Sequence, residues 1–292
     1  MSVPVSIITP SYVRDFESCR LLCETIDAYV TGYDLHYIVV PDADHALFAA
    51  LSGSRRRIVA ESAVLPRRLM QLPGSWKGRR YYWMAGTRPV YGWHTQQLRK
   101  FAMSLAQPSP RVMFMDSDNL FVRPFDLGRY AGGETAPMYV DRGAIGTADA
   151  RHVEWLRTAH RLLGLAEPAF PADDYIGPMV VWDVDAARQA LRRIEDTTGT
   201  DWCTALLRRH SFSEYLIYGA AVSATPSLRA RHHLTTERPC LTYWEGPALD
   251  TPELMRFAGG LKPEQSALTI QSFTRTPIET LRAVAFKQGA LA

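Results

Sequence analysis

The sequence has few of the features that mark membrane proteins, disulfide-bonded scaffolds or nucleic-acid-binding proteins. No apolar run approaches about 18 residues, the minimum for a membrane-spanning helix, and the N-terminus lacks the basic region and cleavage site of a signal peptide. The four cysteines form no Cys-x-x-Cys pair, which favours reduced, buried thiols in a cytoplasmic protein. A formal net charge of +3 is too small to predict binding to nucleic acid or to a membrane surface.

Internal repeats and low-complexity tracts are also absent, and the composition is that of an ordinary globular protein. Of the 292 residues, 47% are hydrophobic and 22% are charged, which is enough apolar material for a sizeable core. Few clean linkers interrupt the pattern of strands and helices. We therefore predict one domain that spans residues 1–292.

The first third of the chain alternates between strand and helix patterns. Strands are predicted at residues 5–10, 35–41 and 56–61, and helices at residues 16–30 and 44–51. Such βαβαβ patterning predicts a parallel sheet that is covered by helices. The alternation returns later in the chain, so the predicted fold class is α/β, with a Rossmann-like, mixed but mostly parallel sheet flanked by helices.

Residues 65–92 interrupt this alternation. The segment is rich in proline, glycine, basic and aromatic residues, has no clean period and is long for a connection. One interpretation is a surface excursion whose tyrosines and tryptophans pack over the sheet. The other is a lid whose Lys77, Arg79 and Arg80 meet the phosphates of a ligand.

Two carboxylates follow a predicted core strand at residues 112–115. Asp116 and Asp118 lie one residue apart, where they should repel each other and resist burial. Open α/β sheets bind their ligands at the carboxyl ends of the strands, and Mg²⁺ or Mn²⁺ binds carboxylates together with phosphate oxygens. The position of the pair therefore predicts a metal site. The alternative is that one carboxylate caps a turn and the other is solvated.

Four stretches in order resemble a known family: GWHTQQLRKFA, MDSDNLFVRPF, YIGPMVVW and FSEYLIYG. They are similar to nucleotide-sugar-dependent glycosyltransferases of the GT-A fold, and more specifically to a bacterial family of glycosyltransferase-like proteins. The resemblance covers roughly residues 5–243. It implies a GT-A fold with a nucleotide-binding half at 1–126 and an acceptor-side half at 127–292.

The resemblance also implies an activity and a set of nucleotide contacts. The activity is metal-dependent transfer of a sugar from a nucleotide-diphosphate sugar to a hydroxyl group of a small-molecule or glycan acceptor. Thr9, Pro10 and Tyr12, at the end of the first strand, are expected to contact the nucleotide. Asp42, after the second strand, is expected to meet the base or the ribose.

Further implied contacts lie around the acidic pair. Lys100, helped by Gln96, is expected to approach the base or the phosphates. Asp116 is expected to contact the ribose or a metal-bound water. Asp118 is expected to ligate the Mn²⁺ or Mg²⁺ ion that bridges the diphosphate.

The acceptor side is less sharply predicted. The resemblance places Glu214 at a helix start that faces the acceptor, where a carboxylate can take the proton of a hydroxyl, although the helix dipole alone would favour it there. Asp174, or its neighbour Asp173, is the runner-up. Many GT-A enzymes have a late histidine as a further metal ligand, but His232 and His233 lie in an Arg-rich stretch, so the third ligand stays open.

Three other classes of protein use similar sequence features. A haloacid-dehalogenase-type phosphatase also has a strand-terminal Asp-x-Asp, but its motif usually lies near the N-terminus and continues differently from Asn119-Leu120-Phe121. A sugar nucleotidyltransferase would need a Gly-rich phosphate loop, which residues 9–16 do not contain. A non-catalytic nucleotide-sugar-binding protein remains an alternative. The donor sugar, base, acceptor, stereochemistry and oligomeric state stay open.

Overall fold

The computed structural model describes residues 3–288. Within that range the strands are β1 (Val5–Pro10), β2 (Val30–Thr31), β3 (His36–Val40), β4 (Arg56–Ala60), β5 (Met70–Gln71), β6 (Tyr81–Trp83), β7 (Val90–Tyr91), β8 (Arg111–Met115), β9 (Asn119–Phe121), β10 (Phe125–Asp126), β11 (Ala136–Tyr139), β12 (Asp141–Ile145), β13 (Ala172–Asp174), β14 (Met179–Asp183), β15 (His232–Thr235), β16 (Cys240–Tyr243) and β17 (Ala267–Ile270).

The helices alternate with these strands along most of the chain. The α-helices are α1 (Phe16–Tyr29), α2 (His45–Phe48), α3 (Gly92–Ala106), α4 (Leu127–Ala131), α5 (Ala150–Leu162), α6 (Val184–Thr198), α7 (Trp202–Leu207), α8 (Glu214–Ala224), α9 (Pro226–Arg229), α10 (Thr251–Ala258) and α11 (Ile278–Gln288). Short 3-10 helices lie at Val13–Asp15, Asp42–Asp44, Ala49–Leu51, Glu61–Ala63 and Ser272–Thr274.

The central sheet has five strands in the order β14-β8-β1-β3-β4. The pairs β1-β3, β1-β8 and β3-β4 are parallel, and only β14 runs antiparallel to its neighbour β8. Helices connect the parallel strands, as the chain geometry of parallel pairing requires. The predicted α/β class, with a mostly parallel sheet flanked by helices, is confirmed.

The alternation of side chains along β1 and β8 explains why both faces of the sheet are covered. Ile7 and Met113 belong to one hydrophobic cluster, whereas their chain neighbours Ile8 and Phe114 belong to another. All four side chains are completely buried. Because successive side chains of a strand point to opposite faces, this apolar run holds one helical layer on each side of the sheet.

Residues 65–92 contain a small antiparallel sheet in the order β5-β6-β7, which the sequence did not predict. Its strands have two or three residues, too short to show a period of two. Tyr82, Met84 and Val90 are buried in the main core, which anchors the segment. Other residues of the segment face a cavity at the edge of the central sheet. The segment therefore has a base, formed by these three buried residues, and a border, formed by the residues that face the cavity.

The C-terminal part of the chain packs beside the turn that follows β8. This turn contains Asp116 and Asp118 and is here called the acidic turn. Strand β17 pairs antiparallel with β9, which follows that turn, and parallel with β16. The backbone N–H of Ile270 donates to the carbonyl of Asp118 at 3.0 Å. Residues about 150 positions apart in the sequence are thereby fixed side by side.

Two simpler expectations can also be compared with the structure. The cysteines Cys19, Cys23, Cys203 and Cys240 are free and buried, as predicted. Among residues 3–288, no helix is both long and apolar enough to cross a bilayer.

Candidate active site

The carboxyl ends of β1, β3 and β8 meet at one edge of the central sheet. The turn after β8 contains Asp116 and Asp118, and side chains hold it in place. Ser117 Oγ donates to Ser11 Oγ, just past β1, at 2.8 Å. The Asn119 amide donates to the Asp116 carbonyl at 2.8 Å. The conformation of the acidic turn is therefore fixed by its neighbours.

The carboxyl group of Asp118 is buried without a full set of hydrogen-bond partners in the described residues. Its Oδ1 atom is buried and has no hydrogen-bond partner among the residues that the structure describes. Burial, reinforced by the charge of Asp116, raises the pKa of Asp118 to about 8. Burying an unpaired carboxylate is costly, and a bound cation would remove that cost.

Lys100, on α3, lies in a buried cluster with the acidic turn and the start of α8. Its Nζ atom lies 2.9 Å from Glu214 Oε1 and 3.3 Å from Asp116 Oδ1, and it donates to the Tyr215 hydroxyl at 2.8 Å. Gln96 Nε2 donates to Asp116 Oδ1 at 3.2 Å. Burial alone would lower the pKa of Lys100, but the two carboxylates hold it well above its ordinary value.

A cavity of about 450 Å³, here called the β1 cavity, opens beside this cluster. It lies between residues 10–15, the border of the small sheet and the first turns of α3. Two of its guanidinium groups are neutralised: Arg80 pairs with Asp44 through two hydrogen bonds, and Arg99 pairs with Glu61.

Two further guanidinium groups of the β1 cavity have no such neutralisation. Within residues 3–288, neither Arg14 nor Arg79 forms an ion pair with a carboxylate. Arg14 donates to the Gly78 carbonyl at 3.0 Å, and Arg79 lies over the Tyr91 ring at 4.8 Å. The cavity is therefore suited to an anion.

A smaller cavity of about 170 Å³, here called the lysine cavity, continues from the β1 cavity. Trp93 and Gln96 line both. Lys100, Asp116 and Glu214 line the lysine cavity. One extended ligand could therefore occupy both spaces, with its end against the buried lysine cluster.

The strand-end residues that were predicted to contact the nucleotide lie in different surroundings. Pro10 and Tyr12 line the β1 cavity. Thr9 instead lies in the core, where its hydroxyl pairs with His36 Nε2 at 3.0 Å. Asp42 is exposed and accepts hydrogen bonds from the backbone N–H and the hydroxyl of Ser62.

The two predicted acceptor-side carboxylates are far from equivalent. Glu214 joins the lysine cluster, with Ser213 as the N-cap of α8. Asp174 lies on β13, where it contacts His152 Nδ1 at 2.8 Å and accepts from the backbone N–H of Ile176. Neither the β1 cavity nor the lysine cavity is lined by Asp174.

Sequence reasoning missed Asp15 and Gln271 as site residues. Asp15 is the N-cap residue of α1, but its side chain makes no capping bond. Burial and the nearby charge of Asp116 raise the pKa of Asp15 to about 6. Gln271 directly follows β17 and lines the lysine cavity together with Asp116. No motif in the sequence marks Gln271 as a site residue.

The donor atoms of this edge suit a hard divalent cation, but the acidic, histidine and cysteine side chains that the structure describes do not form a complete metal shell. Within residues 3–288, no group of three or more His, Cys, Asp or Glu is arranged to hold a metal ion. The unpartnered oxygen of Asp118 and the carboxylate of Asp116 are oxygen ligands of the kind that Mg²⁺ and Mn²⁺ prefer. The amide oxygen of Gln271 is of the same kind.

The overall architecture can be compared with solved structures. The chain is similar to the crystal structure of an active-site mutant of LgtC, a glycosyltransferase, with a TM-score of 0.50 and 9% sequence identity. The match covers 97% of this chain and 95% of that one. At this identity the likeness shows the fold alone, and that fold is GT-A-like.

The sequence itself defines the family. Residues 2–283 match DUF6492, described as a family of unknown function, and the chain belongs to this family. No curated protein matches the sequence.

Proposed function

We propose that this protein is a metal-dependent glycosyltransferase that moves a sugar from a nucleotide-diphosphate sugar to a hydroxyl acceptor. One observation carries the proposal. The β1 cavity combines two guanidinium groups that form no ion pair with a carboxylate of residues 3–288 with an adjacent acidic turn, at the sheet edge where α/β folds bind ligands. The likeness of the fold to LgtC, a glycosyltransferase, supports it.

The donor would occupy both the β1 cavity and the lysine cavity. Pro10 and Tyr12 would contact the nucleoside. Arg14 and Arg79 would meet the diphosphate, because a guanidinium group pairs well with phosphate oxygens. Lys100 would add positive charge at the sugar end, although Asp116 and Glu214 already neutralise much of it.

Asp116 and Asp118 would hold Mg²⁺ or Mn²⁺, and Gln271 is the candidate for a further ligand. When bound, the ion would supply positive charge to the leaving diphosphate. The fit rests on the buried Asp118 oxygen, which has no hydrogen-bond partner in the described part of the chain, and on the oxygen donors around it.

The transfer itself exchanges two bonds at the anomeric carbon of the sugar. The acceptor oxygen forms a bond to that carbon, and the bond from the carbon to the diphosphate oxygen breaks. The nucleoside diphosphate leaves with the electron pair, and a carboxylate takes the hydroxyl proton. Glu214 is the proposed proton acceptor because it lines the lysine cavity, whereas Asp174 does not.

Thermal unfolding with a panel of nucleotides and nucleotide sugars, each with Mn²⁺, tests this function. A ligand at about 100 times its dissociation constant should add roughly 2.7 kcal/mol to the free energy of unfolding. Matching nucleosides and Mn²⁺ alone are the controls. No stabilisation by any nucleotide-diphosphate sugar would contradict the proposal.

Two assays separate the proposed activity from its alternatives. Consumption of the bound nucleotide sugar in the presence of an acceptor indicates transfer, while binding with no turnover indicates a non-catalytic binding protein. Hydrolysis of a generic aryl phosphate, with no effect of nucleotide sugars, would indicate a phosphatase.

A further inference from the structure

A third cavity of about 490 Å³, here called the outer cavity, lies on the other side of the β1–α1 connection. One wall is formed by residues 12–18 and the other by residues 270–276, at the end of β17 and after it. It is comparable in size to the β1 cavity. The proposed donor site leaves this space unused.

The outer cavity adjoins both parts of the proposed donor site. Tyr12, Arg14 and Asp15 line the outer cavity and the β1 cavity, and Gln271 lines the outer cavity and the lysine cavity. A molecule bound in the outer cavity would therefore contact residues that also line the proposed donor site.

The walls of the outer cavity combine exposed aromatic rings with hydrogen-bonding groups. The Phe273 side chain is 65% exposed and Tyr12 is 40% exposed. Ser18 and Thr276 are among the polar residues that line the same space. Single exposed apolar residues are common on protein surfaces. Two aromatic residues that line the same polar cavity are instead a feature that indicates a ligand site.

The segment that presents Phe273 is held in a defined conformation. The Thr274 hydroxyl donates to the Gln271 carbonyl at 2.8 Å, and the backbone N–H of Leu249 donates to the Thr276 hydroxyl at 3.1 Å. Arg275 has a φ of 60°, a left-handed conformation that is unfavourable for a residue with a side chain. The surrounding turn maintains this conformation despite its cost, as is typical of residues at ligand sites.

We propose that the outer cavity is the acceptor subsite and that it takes a saccharide, whose ring stacks on Phe273. A pyranose ring has an apolar face of C–H groups and a rim of hydroxyls, so it requires an aromatic surface and polar neighbours together. Phe273 and Tyr12 provide the first, and Gln271, Ser18 and Thr276 provide the second. This inference rests on the proposed glycosyltransferase function and names its acceptor class.

Saturation-transfer NMR on the full chain tests the subsite directly. The probes are the methyl glycosides of glucose, galactose, mannose and N-acetylglucosamine, with maltose, cellobiose and lactose. At least one should receive saturation from the protein, and Phe273→Ala should weaken its binding about tenfold or more. Phe273→Tyr, which keeps the ring, should retain binding.

Phe286→Ala is the matched control. Phe286 is 43% exposed and stacks on Tyr29 at 6.4 Å, and it lines none of the three cavities. Its loss should leave saccharide binding unchanged. Absence of saturation transfer from every probe, or equal binding by the parent and Phe273→Ala, would overturn the proposal.

Nucleotide binding separates this inference from the proposed function. Phe273→Ala should keep its stabilisation by nucleotide-diphosphate sugars with Mn²⁺, because Phe273 does not line the β1 cavity or the lysine cavity. Stabilisation of the parent by nucleotide sugars without any saccharide binding would refute only the acceptor subsite. Saccharide binding without nucleotide binding would refute the glycosyltransferase function.

Discussion

At the scale of single residues, the site is dominated by carboxyl groups that lie in unlike surroundings. Glu214 and Asp116 face the Lys100 ammonium, whereas Asp118 has a buried oxygen without a partner among residues 3–288. Because of these surroundings, we expect each carboxylate to respond differently to substitution.

Asp118→Asn should make the metal-free protein more stable at alkaline pH. In the unfolded chain an aspartate titrates near pH 4, whereas the pKa of Asp118 in the folded protein is about 8. Between these values the folded state holds a proton that the unfolded state has lost, so the contribution of Asp118 to stability falls as pH rises through that window.

The measurement is thermal unfolding in the presence of a chelator, at about pH 4.5 and about pH 8.5, near the two ends of that window. The variant should melt above the parent at the higher pH and close to it at the lower. Manganese added at the higher pH should stabilise only the parent. Equal response of both proteins to manganese would contradict the metal role of Asp118.

Lys100→Met should destabilise the fold strongly, because it leaves two carboxylates near each other without their cation. Breaking one side of a buried ion pair typically costs about 3–5 kcal/mol. Combining it with Glu214→Gln should cost less than the sum of the two single changes. Urea unfolding of the four proteins measures this coupling, and strict additivity would show that the contact is not energetically important.

Glu214→Gln should reduce transfer by about 10²–10⁴-fold if Glu214 accepts the proton. Binding of the nucleoside diphosphate should be nearly unchanged, because Glu214 does not line the β1 cavity, where the nucleoside and the diphosphate would lie. The change removes one of the two carboxylates around Lys100, so some stability should also be lost. Asp174→Asn is the control. A loss of only a few-fold in kcat would instead favour an electrostatic role beside Lys100.

At the scale of elements, the segment 65–92, with its small sheet, forms one border of the β1 cavity. Its base is buried through Tyr82. Two contacts tie its border to the segments that follow β1 and β3: Gly78 with Arg14, and Arg80 with Asp44. Lys77, which one of the two interpretations of the sequence placed against phosphates, lies over the Trp76 ring and does not line the β1 cavity.

Arg79→Gln should weaken the binding of a nucleoside diphosphate about tenfold or more. It should leave the binding of the nucleoside nearly unchanged, because the guanidinium group provides charge only to the diphosphate. Arg88→Gln is the matched control, because Arg88 is an exposed arginine of the same segment that does not line the β1 cavity. Calorimetric titration measures both ligands. An equal loss for nucleoside and diphosphate would indicate a structural role for Arg79.

At the scale of the whole molecule, the C-terminal sheet links the acidic turn to the outer cavity. Strand β17 pairs with β9, which begins directly after Asp118. Gln271 follows β17 and lines both the outer cavity and the lysine cavity. A ligand that stabilises the acidic turn should therefore also reduce local opening at the end of β17.

Hydrogen exchange of the Ile270 amide, which donates to the Asp118 carbonyl, should slow when a nucleotide sugar and Mn²⁺ bind, because local opening of this contact becomes rarer. Exchange measured by NMR with and without the ligands gives the comparison. The control is the Ile194 amide of α6, a helix that lines none of the three cavities. Equal slowing of both amides would indicate general stabilisation and would contradict a specific link between β17 and the site.

The sequence alone predicted the parts of this protein that depend on local pattern. The apolar runs of β1 and β8, the helical pattern of α1 and the acidic pair after β8 are all visible in short windows, because helix and strand periods are local properties. The α/β class followed from their order, and the GT-A-like fold from a resemblance that four short stretches carried.

Tertiary structure alone decided which side chains meet. Thr9 turns into the core beside His36, and Asp42 lies outside the β1 cavity, although both follow the pattern of strand-end contacts. Lys100 meets Glu214 across 114 positions, and Gln271 reaches the acidic turn through the pairing of β17 with β9. Such contacts depend on how distant elements pack, and no local period of the sequence records that packing.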